Sequence, residues 1–375
     1  AFSSKTLKRA FYFFHMLPIW RERDKAGNRN ISNEPTFAAC YELLSKNQML
    51  CIYPEGDCIN ENHVRPLKKG ITRIAFGAME KYNWEPDIRI IPVGINYTGA
   101  EKFRQWKMIN FGEPIAVADY KEAFLENPTL ATSALKDDIE EGMRKVALHI
   151  PRSHYYHDIE YLVQMVARAL ILENNEPYNP VTKFYTEQQI IAKLEHMRMY
   201  AHEEMSDLVK SLHKYQKNLK HFRFRENTFD TFRQQWFVIL IMAFYFLVMF
   251  PLFVFGTAVN IVPYKLIEKG VERKVKQRIF YSSMKFVAGL FIFPVWYILL
   301  FVTTWMVLGS VLSALIFLFA FPVCGLIAFH WYYDLKKWWS VMRFKWWQKR
   351  GDELFVQMLA QRNRILSVIR NYQPF

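Results

Sequence analysis

Apolar and polar positions over the first 125 residues follow two different rhythms. Short apolar runs occur at 17–20, 49–53 and 88–93, with weaker ones at 107–111 and 115–117. Between them, apolar residues recur every three or four positions. The runs predict buried strands and the spaced positions predict helices. One predicted helix covers 34–45, with Phe37, Cys40, Tyr41 and Leu44 on one face and Asn33 as its cap. Another covers 70–81, with Ile71, Ile74, Ala75 and Ala78 inward. Alternating strands and helices predict an α/β domain over 1–125 with a largely buried sheet.

From 126 to 235 the pattern is helical. Two helices are expected at 129–149 and 158–173, and the segment Asn174-Asn175-Glu176-Pro177-Tyr178-Asn179-Pro180 separates them from a third. In the third, Ile190, Leu194, Met197, Ala201, Met205, Leu208, Leu212, Tyr215, Leu219 and Phe222 form a heptad-like stripe. An unbroken helix there would extend roughly 50 Å. Leu162, Val166 and Leu170 of the preceding helix offer a matching seam; a helix partner or homodimer through 190–222 is the alternative.

The next pattern is uniformly apolar. Residues 236–262 and 286–333 carry no charge, and crossing a bilayer takes about 20 residues. Basic clusters flank both blocks: Lys220, Arg223, Arg225 and Arg233 before the first, seven Lys or Arg between them, and Lys336, Lys337, Arg343, Lys345, Lys349 and Arg350 after the second. Keeping all three clusters on the cytoplasmic face predicts a re-entrant hairpin at 236–262, bent at Pro251 and Gly256, and two spans within 286–333 that turn near Gly309-Ser310. The tail, 334–375, combines lysines with Trp338, Trp339, Trp346 and Trp347, the composition of a helix lying at the headgroup layer.

Composition sharpens this picture. The chain has 375 residues, a formal net charge of +14 and 51% hydrophobic residues. Such charge suits nucleic acid as well, but no recognition motif accompanies it, and the apolar blocks assign it to membrane lipids. Cys40, Cys51, Cys58 and Cys324 show no metal-ligand spacing, and they are read as thiols of a cytosol-facing protein. A Cys51–Cys58 disulfide stays open at this stage.

The candidate chemistry lies in CIYPEGDCINENHVRPLKKG, residues 51–70. An apolar run ends in a carboxylate followed by glycine, and two lysines return just before a helix start. Strand ends are where α/β domains bind ligands, and a helix N-terminus favours anions. Tyr53-Pro54-Glu55-Gly56 followed by Pro66-Leu67-Lys68-Lys69-Gly70 resembles a conserved block of the glycerolipid acyltransferases, the family of the 1-acylglycerol-3-phosphate acyltransferases. Leu17-Pro18-Ile19-Trp20-Arg21 resembles the block before it. Ile90-Ile91-Pro92-Val93-Gly94-Ile95-Asn96-Tyr97 resembles the block after it. The resemblance covers roughly residues 1–118.

The resemblance implies a glycerol-3-phosphate acyltransferase-like mixed sheet with helices. It also implies acyl transfer from a thioester to a hydroxyl, with acyl-CoA or acyl carrier protein as co-substrate and no further cofactor or metal. Arg21 and Lys68 would hold the acceptor phosphate, Glu55 would orient acceptor hydroxyls or the loop, Gly56 would allow close approach, and Pro92 would form a wall. Asn96 and Tyr97 either line the site or turn the strand end. The family's His-x-x-x-x-Asp general base is expected upstream of Ala1. The one match to that spacing, His202 with Asp207, falls in the predicted long helix and is read as a solvated pair. Asp57-Cys58 departs from the threonine and arginine common in the family, which weakens the case for a simple glycerol-phosphate acceptor. The expected function is transfer of a fatty acyl group to a lysophosphatidate-like lysophospholipid in phospholipid biosynthesis, at a membrane, with the domain facing the cytoplasm. The alternative is a non-catalytic lipid-binding or scaffold protein on the same fold.

Overall fold

Two helices of the computed structural model open on the same dipeptide. Asn127 holds an extended backbone and accepts from the N–H groups of Thr129 and Leu130 at 3.1 and 3.2 Å. Pro128 follows at a position whose N–H would have no helical partner anyway. Asn179-Pro180 repeats the arrangement, with Thr182 N–H donating to Asn179 at 2.9 Å. The structure describes residues 9, 11–19, 32–57, 59–97, 106–231 and 236–373. They fall into two compact units, one drawn from 1–58, 62–96 and 108–149, the other from 59–61, 97–107 and 150–375.

The first unit runs α1 (Glu34–Ser45), α2 (Gly70–Lys81), β1 (Arg89–Ile90), β2 (Val93–Tyr97), β3 (Lys107–Phe111), β4 (Ile115–Ala116), a 3-10 turn (Val117–Tyr120), α3 (Lys121–Glu126) and α4 (Pro128–Val146). Its core joins Ala75, Phe76 and Met79 of α2 to Val117, Phe124 and the Ala131, Leu135 and Ile139 stripe of α4. Phe76 and Phe124 stack with ring centres 4.4 Å apart. Helices α1 and α2 have the bounds their periodicity predicts. The Asn33 side chain does not cap α1, because its backbone is already helical; its carbonyl accepts from Phe37 N–H instead.

The large buried sheet is not formed among the described residues. There are two two-stranded sheets: β1 with β4, antiparallel with Arg89 opposite Ala116, and β2 with β3. Residues 49–53 run without a ladder, leaving Met49 and Tyr53 exposed. Leu17, Pro18 and Ile19 also lack one, and the Pro18 carbonyl accepts from the Thr36 hydroxyl at 2.7 Å. A buried strand needs neighbours to take its N–H and C=O groups. The predicted strand 88–93 breaks at Pro92, which has no N–H for a ladder, so β1 and β2 belong to different sheets.

The second unit contains α5 (Tyr156–Glu173), α6 (Pro180–Tyr200), α7 (His202–His221), α8 (Thr228–Thr231), α9 (Trp236–Lys274), a 3-10 turn (Arg278–Phe280), α10 (Tyr281–Leu308), α11 (Val311–Arg350) and α12 (Glu353–Asn371). The predicted long helix is broken at Ala201, whose φ of −131° and ψ of 59° leave the helical region. The apolar stripe survives the break: Leu194, Met197, Met205, Leu212 and Tyr215 are all fully buried. Its partner changes there. Helix α6 packs on α5, whereas α7 packs on α12. The stripe is thus covered within one chain, which corrects the homodimer alternative. Where α7 meets α12, Glu226 accepts from Tyr215 and Tyr161 and faces Arg362; burial raises its carboxyl, and Arg362 opposes that rise.

Helices α9, α10 and α11 are long and apolar enough to cross a membrane, and almost none of their most apolar stretches is buried in the protein. The re-entrant hairpin expected at 236–262 does not form: α9 is one helix with Pro251 and Pro263 inside it. The tail is not one interfacial helix either. Trp338 donates to the Ile239 carbonyl of α9 at 3.1 Å, and the Trp347 ring meets Phe222 at 4.9 Å, while Trp339 and Trp346 stay exposed. Cys40, Cys51 and Cys324 are free thiols.

Candidate active site

The loop from Tyr53 to Gly70 is closed by main-chain and side-chain bonds that the sequence distributes along it. Gly56 takes φ +73°, a left-handed value that suits glycine, and its N–H donates to the Tyr53 carbonyl at 3.2 Å. The returning chain is caught twice. Lys68 N–H donates to the Pro54 carbonyl at 2.8 Å, and Arg65 N–H donates to Glu55 Oε1 at 3.1 Å. A side chain at Gly56 would begin 3.4 Å from Lys68 Cγ, so the lysine stem lies directly over the glycine. Buried Val64 and Leu67 anchor the loop inward.

A residue that the sequence did not single out completes the clasp. His149 Nδ1 accepts from Val64 N–H at 3.0 Å, and its ring stacks on His63 with centres 4.8 Å apart. That bond leaves Nδ1 unprotonated. Burial, then the charge of His63, pushes the His149 imidazole down to about 4. Its partner is 85 residues away, so no local spacing signals it.

The sequence-predicted residues divide accordingly. Glu55, Gly56 and Lys68 come together in this clasp, where the Glu55 carboxylate holds the loop. Arg21 lies outside the described residues. Pro92 is buried: an added Cβ at Gly142 would lie 2.6 Å from its ring, and its carbonyl accepts from Gly112 N–H at 2.8 Å. It is a packing wedge between α4 and the β3–β4 turn. Asn96 serves the end of α4. It donates to the Val146 carbonyl at 3.0 Å and accepts from Leu148 N–H, while Asn110 donates to the same carbonyl at 3.1 Å. Gly94 lets β2 approach that carbonyl, since a Cβ would sit 2.1 Å from it. On α7, Asp207 pairs with Lys210 at 2.9 Å at the surface.

Lys68 and Lys69 are exposed and immediately precede α2, whose first N–H groups lack helical acceptors. Two cations beside such a terminus suit a phosphate. Residues 2–96 match the Acyltransferase family model. The match includes the Tyr53–Gly70 loop and supports an acyltransferase domain in this segment. The chain is similar to Glycerol-3-phosphate O-acyltransferase 1 of Saccharomyces cerevisiae, 32% identical over 111 residues, or 29% of this chain and 14% of that protein. It is also similar to Glycerol-3-phosphate O-acyltransferase 2 of the same yeast, 28% identical over 124 residues, 32% of this chain and 16% of that protein. An uncharacterized acyltransferase of Schizosaccharomyces pombe is 27% identical over 112 residues, 29% of this chain and 16% of that protein. The matches therefore span about one-seventh of the yeast relatives' length, and no solved structure matches.

Proposed function

We propose that this chain belongs to a membrane acyltransferase that moves a fatty acyl group from a thioester, acyl-CoA or acyl carrier protein, to a hydroxyl of a phosphorylated glycerol acceptor. The observation that carries the reading is the Tyr53–Gly70 clasp inside the acyltransferase domain. Lys68 and the N-terminus of α2 bind the acceptor phosphate, with Arg21 as a second cation. Gly56 supplies the left-handed turn over which the Lys68 stem is seated, and Glu55 keeps the loop closed. The names of the two budding-yeast relatives favour glycerol 3-phosphate as acceptor; lysophosphatidate shares the phosphate and is the lysophospholipid to test beside it. A neutral histidine as general base suits the hydroxyl's deprotonation. His202 is a poor candidate, because Asp207 is engaged by Lys210. The domain faces the cytoplasm in this reading, on the strength of the basic flanks before α9 and late in α11.

The test is acyl transfer by the full-length protein with each acceptor and each thioester. Lys68→Ala should lower kcat/KM by about ten- to a hundredfold through loss of a charged hydrogen bond, with the melting temperature held. Transfer that is insensitive to Lys68 and Arg21 substitutions would remove the assigned site. A full-length protein that binds lipid yet transfers nothing would instead favour the scaffold alternative.

A further inference from the structure

Three helices invite the count of three crossings, yet the two ends of the membrane region are tied together in water. Asn218 of α7 donates to Gln361 of α12 at 3.2 Å, and Glu226, ahead of α9, faces Arg362 at 3.5 Å. Lys193 of α6 donates to the Ile369 and Arg370 carbonyls at the end of α12. Segments that bond this way lie on one side of a bilayer, so the chain between them crosses an even number of times.

The packing registers show which helices those are. Along α11, Trp338, Trp331 and Phe321 bond to Ile239, Phe246 and Asn260 of α9, an antiparallel register over the first part of α9. Along α10, Lys285, Trp296 and Tyr297 bond to Glu272, Val259 and Asn260, an antiparallel register over its last part. Extending both registers would set Leu308 level with Val248 and Val311 level with Lys269. Those points are about 30 Å apart along α9. Only Gly309 and Ser310 link the two helices, a reach of about 11 Å. So α10 and α11 must both leave α9 near Asn260 and run out and back against each other.

The meeting point is built for three close backbones. Asn260 donates to the Gly256 and Phe321 carbonyls and accepts from the Tyr297 hydroxyl at 2.8 Å. A Cβ at Gly256 would sit 2.1 Å from the Cys324 carbonyl, and one at Gly325 would meet Asn260 at 2.8 Å. Beyond this junction, residues 298–308 and 311–321 are uncharged, and each run is about 16 Å long, half the hydrocarbon thickness. Their tip bares Met306, Val307 and Leu312.

We propose that the membrane region crosses twice, once through α9 and once through the uncharged 286–297 of α10 and 322–333 of α11 in series, about 36 Å together, and that 298–321 is an apolar hairpin that lodges among the lipid acyl chains and crosses nothing. Residues 275–280 then face the side opposite α7 and α12. The basic residues near them are the reason the sequence pattern argued for one common side.

The test is impermeant-maleimide labelling of cysteine-depleted, full-length protein in sealed vesicles. Single cysteines are placed by Lys276→Cys, Gln357→Cys and Val307→Cys. Positions 276 and 357 should label from opposite faces. Position 307 should resist label from both faces, and a nitroxide attached there through a permeant reagent should be relaxed by lipid-dissolved oxygen. Labelling of 276 and 357 from the same face would overturn the two crossings. Labelling of 307 from either aqueous face would overturn the hairpin. Protease protection of an epitope inserted after Lys276, with the native cysteines retained, reads the same topology without relying on cysteine depletion.

Discussion

Two polar clasps hold this chain, one in water and one among apolar helices. At the Tyr53–Gly70 loop, Pro54, Glu55 and His149 each take one N–H from the returning chain. At the Asn260 junction, one amide bonds two carbonyls and a hydroxyl from three helices. The loop spreads its bonds over several residues, because water satisfies whatever the protein leaves open. The junction concentrates them, because hydrocarbon offers no replacement partner. The loop is therefore suited to local adjustment around a ligand, and the junction to fixing helix register.

The largest effects should come from the glycines that admit close backbones. Gly94→Ala and Gly256→Ala would each press a methyl within 2.1 Å of a carbonyl oxygen. Each should cost about 3 kcal/mol or more, seen as loss of folded protein in detergent melts. Tolerance of Gly256→Ala would mean that α9 and α11 are not in this register. Next, Asn260→Leu should cost about 1–2 kcal/mol, with Tyr297→Phe nearer half that, since partners left in lipid find other bonds. Equal melting temperatures for Asn260→Leu and the parent would break the contrast between the clasps.

His149→Ala should cost about 1 kcal/mol, with faster hydrogen exchange at Val64. The pH dependence has a definite sign. The folded imidazole is held down to about 4 from the usual value near 6.5, so the unfolded chain binds the proton first. His149's contribution should be complete above about pH 6.5 and fall away as pH drops toward 4, and His149→Ala should flatten that part of the stability curve. The smallest change belongs to Glu55→Gln, which keeps an oxygen for Arg65 N–H and should stay within about 0.5 kcal/mol. Glu55→Ala should speed exchange of the Arg65 amide; an unaltered rate would remove Glu55 from the clasp.

Much of this was legible along the chain. The periodicity of 34–45 and 70–81 gave α1 and α2 because amphipathic helices are local in sequence. Tyr53-Pro54-Glu55-Gly56 and Lys68 marked the loop because turn geometry and charge are local too. The sheet was misread because an apolar run reports burial preference and says nothing about whether a neighbouring strand is there to pair; 49–53 has none among the described residues, and Pro92 divides its run in two. The break at Ala201 carries no glycine or proline signal, and coincides with the change of packing partner from α5 to α12.

By itself, then, the sequence determined where α1 and α2 form, which stretches are apolar enough to cross a membrane, and which loop resembles the acyltransferase block. Each follows from interactions within a few residues or from composition. Only the tertiary structure decided that His149 completes the loop, that α12 covers the stripe of α7, and that α9, α10 and α11 pair by halves around Asn260. Those outcomes depend on contacts between residues 37 to 176 positions apart, where the cost of closing the chain is met by packing and hydrogen bonds that no local pattern records.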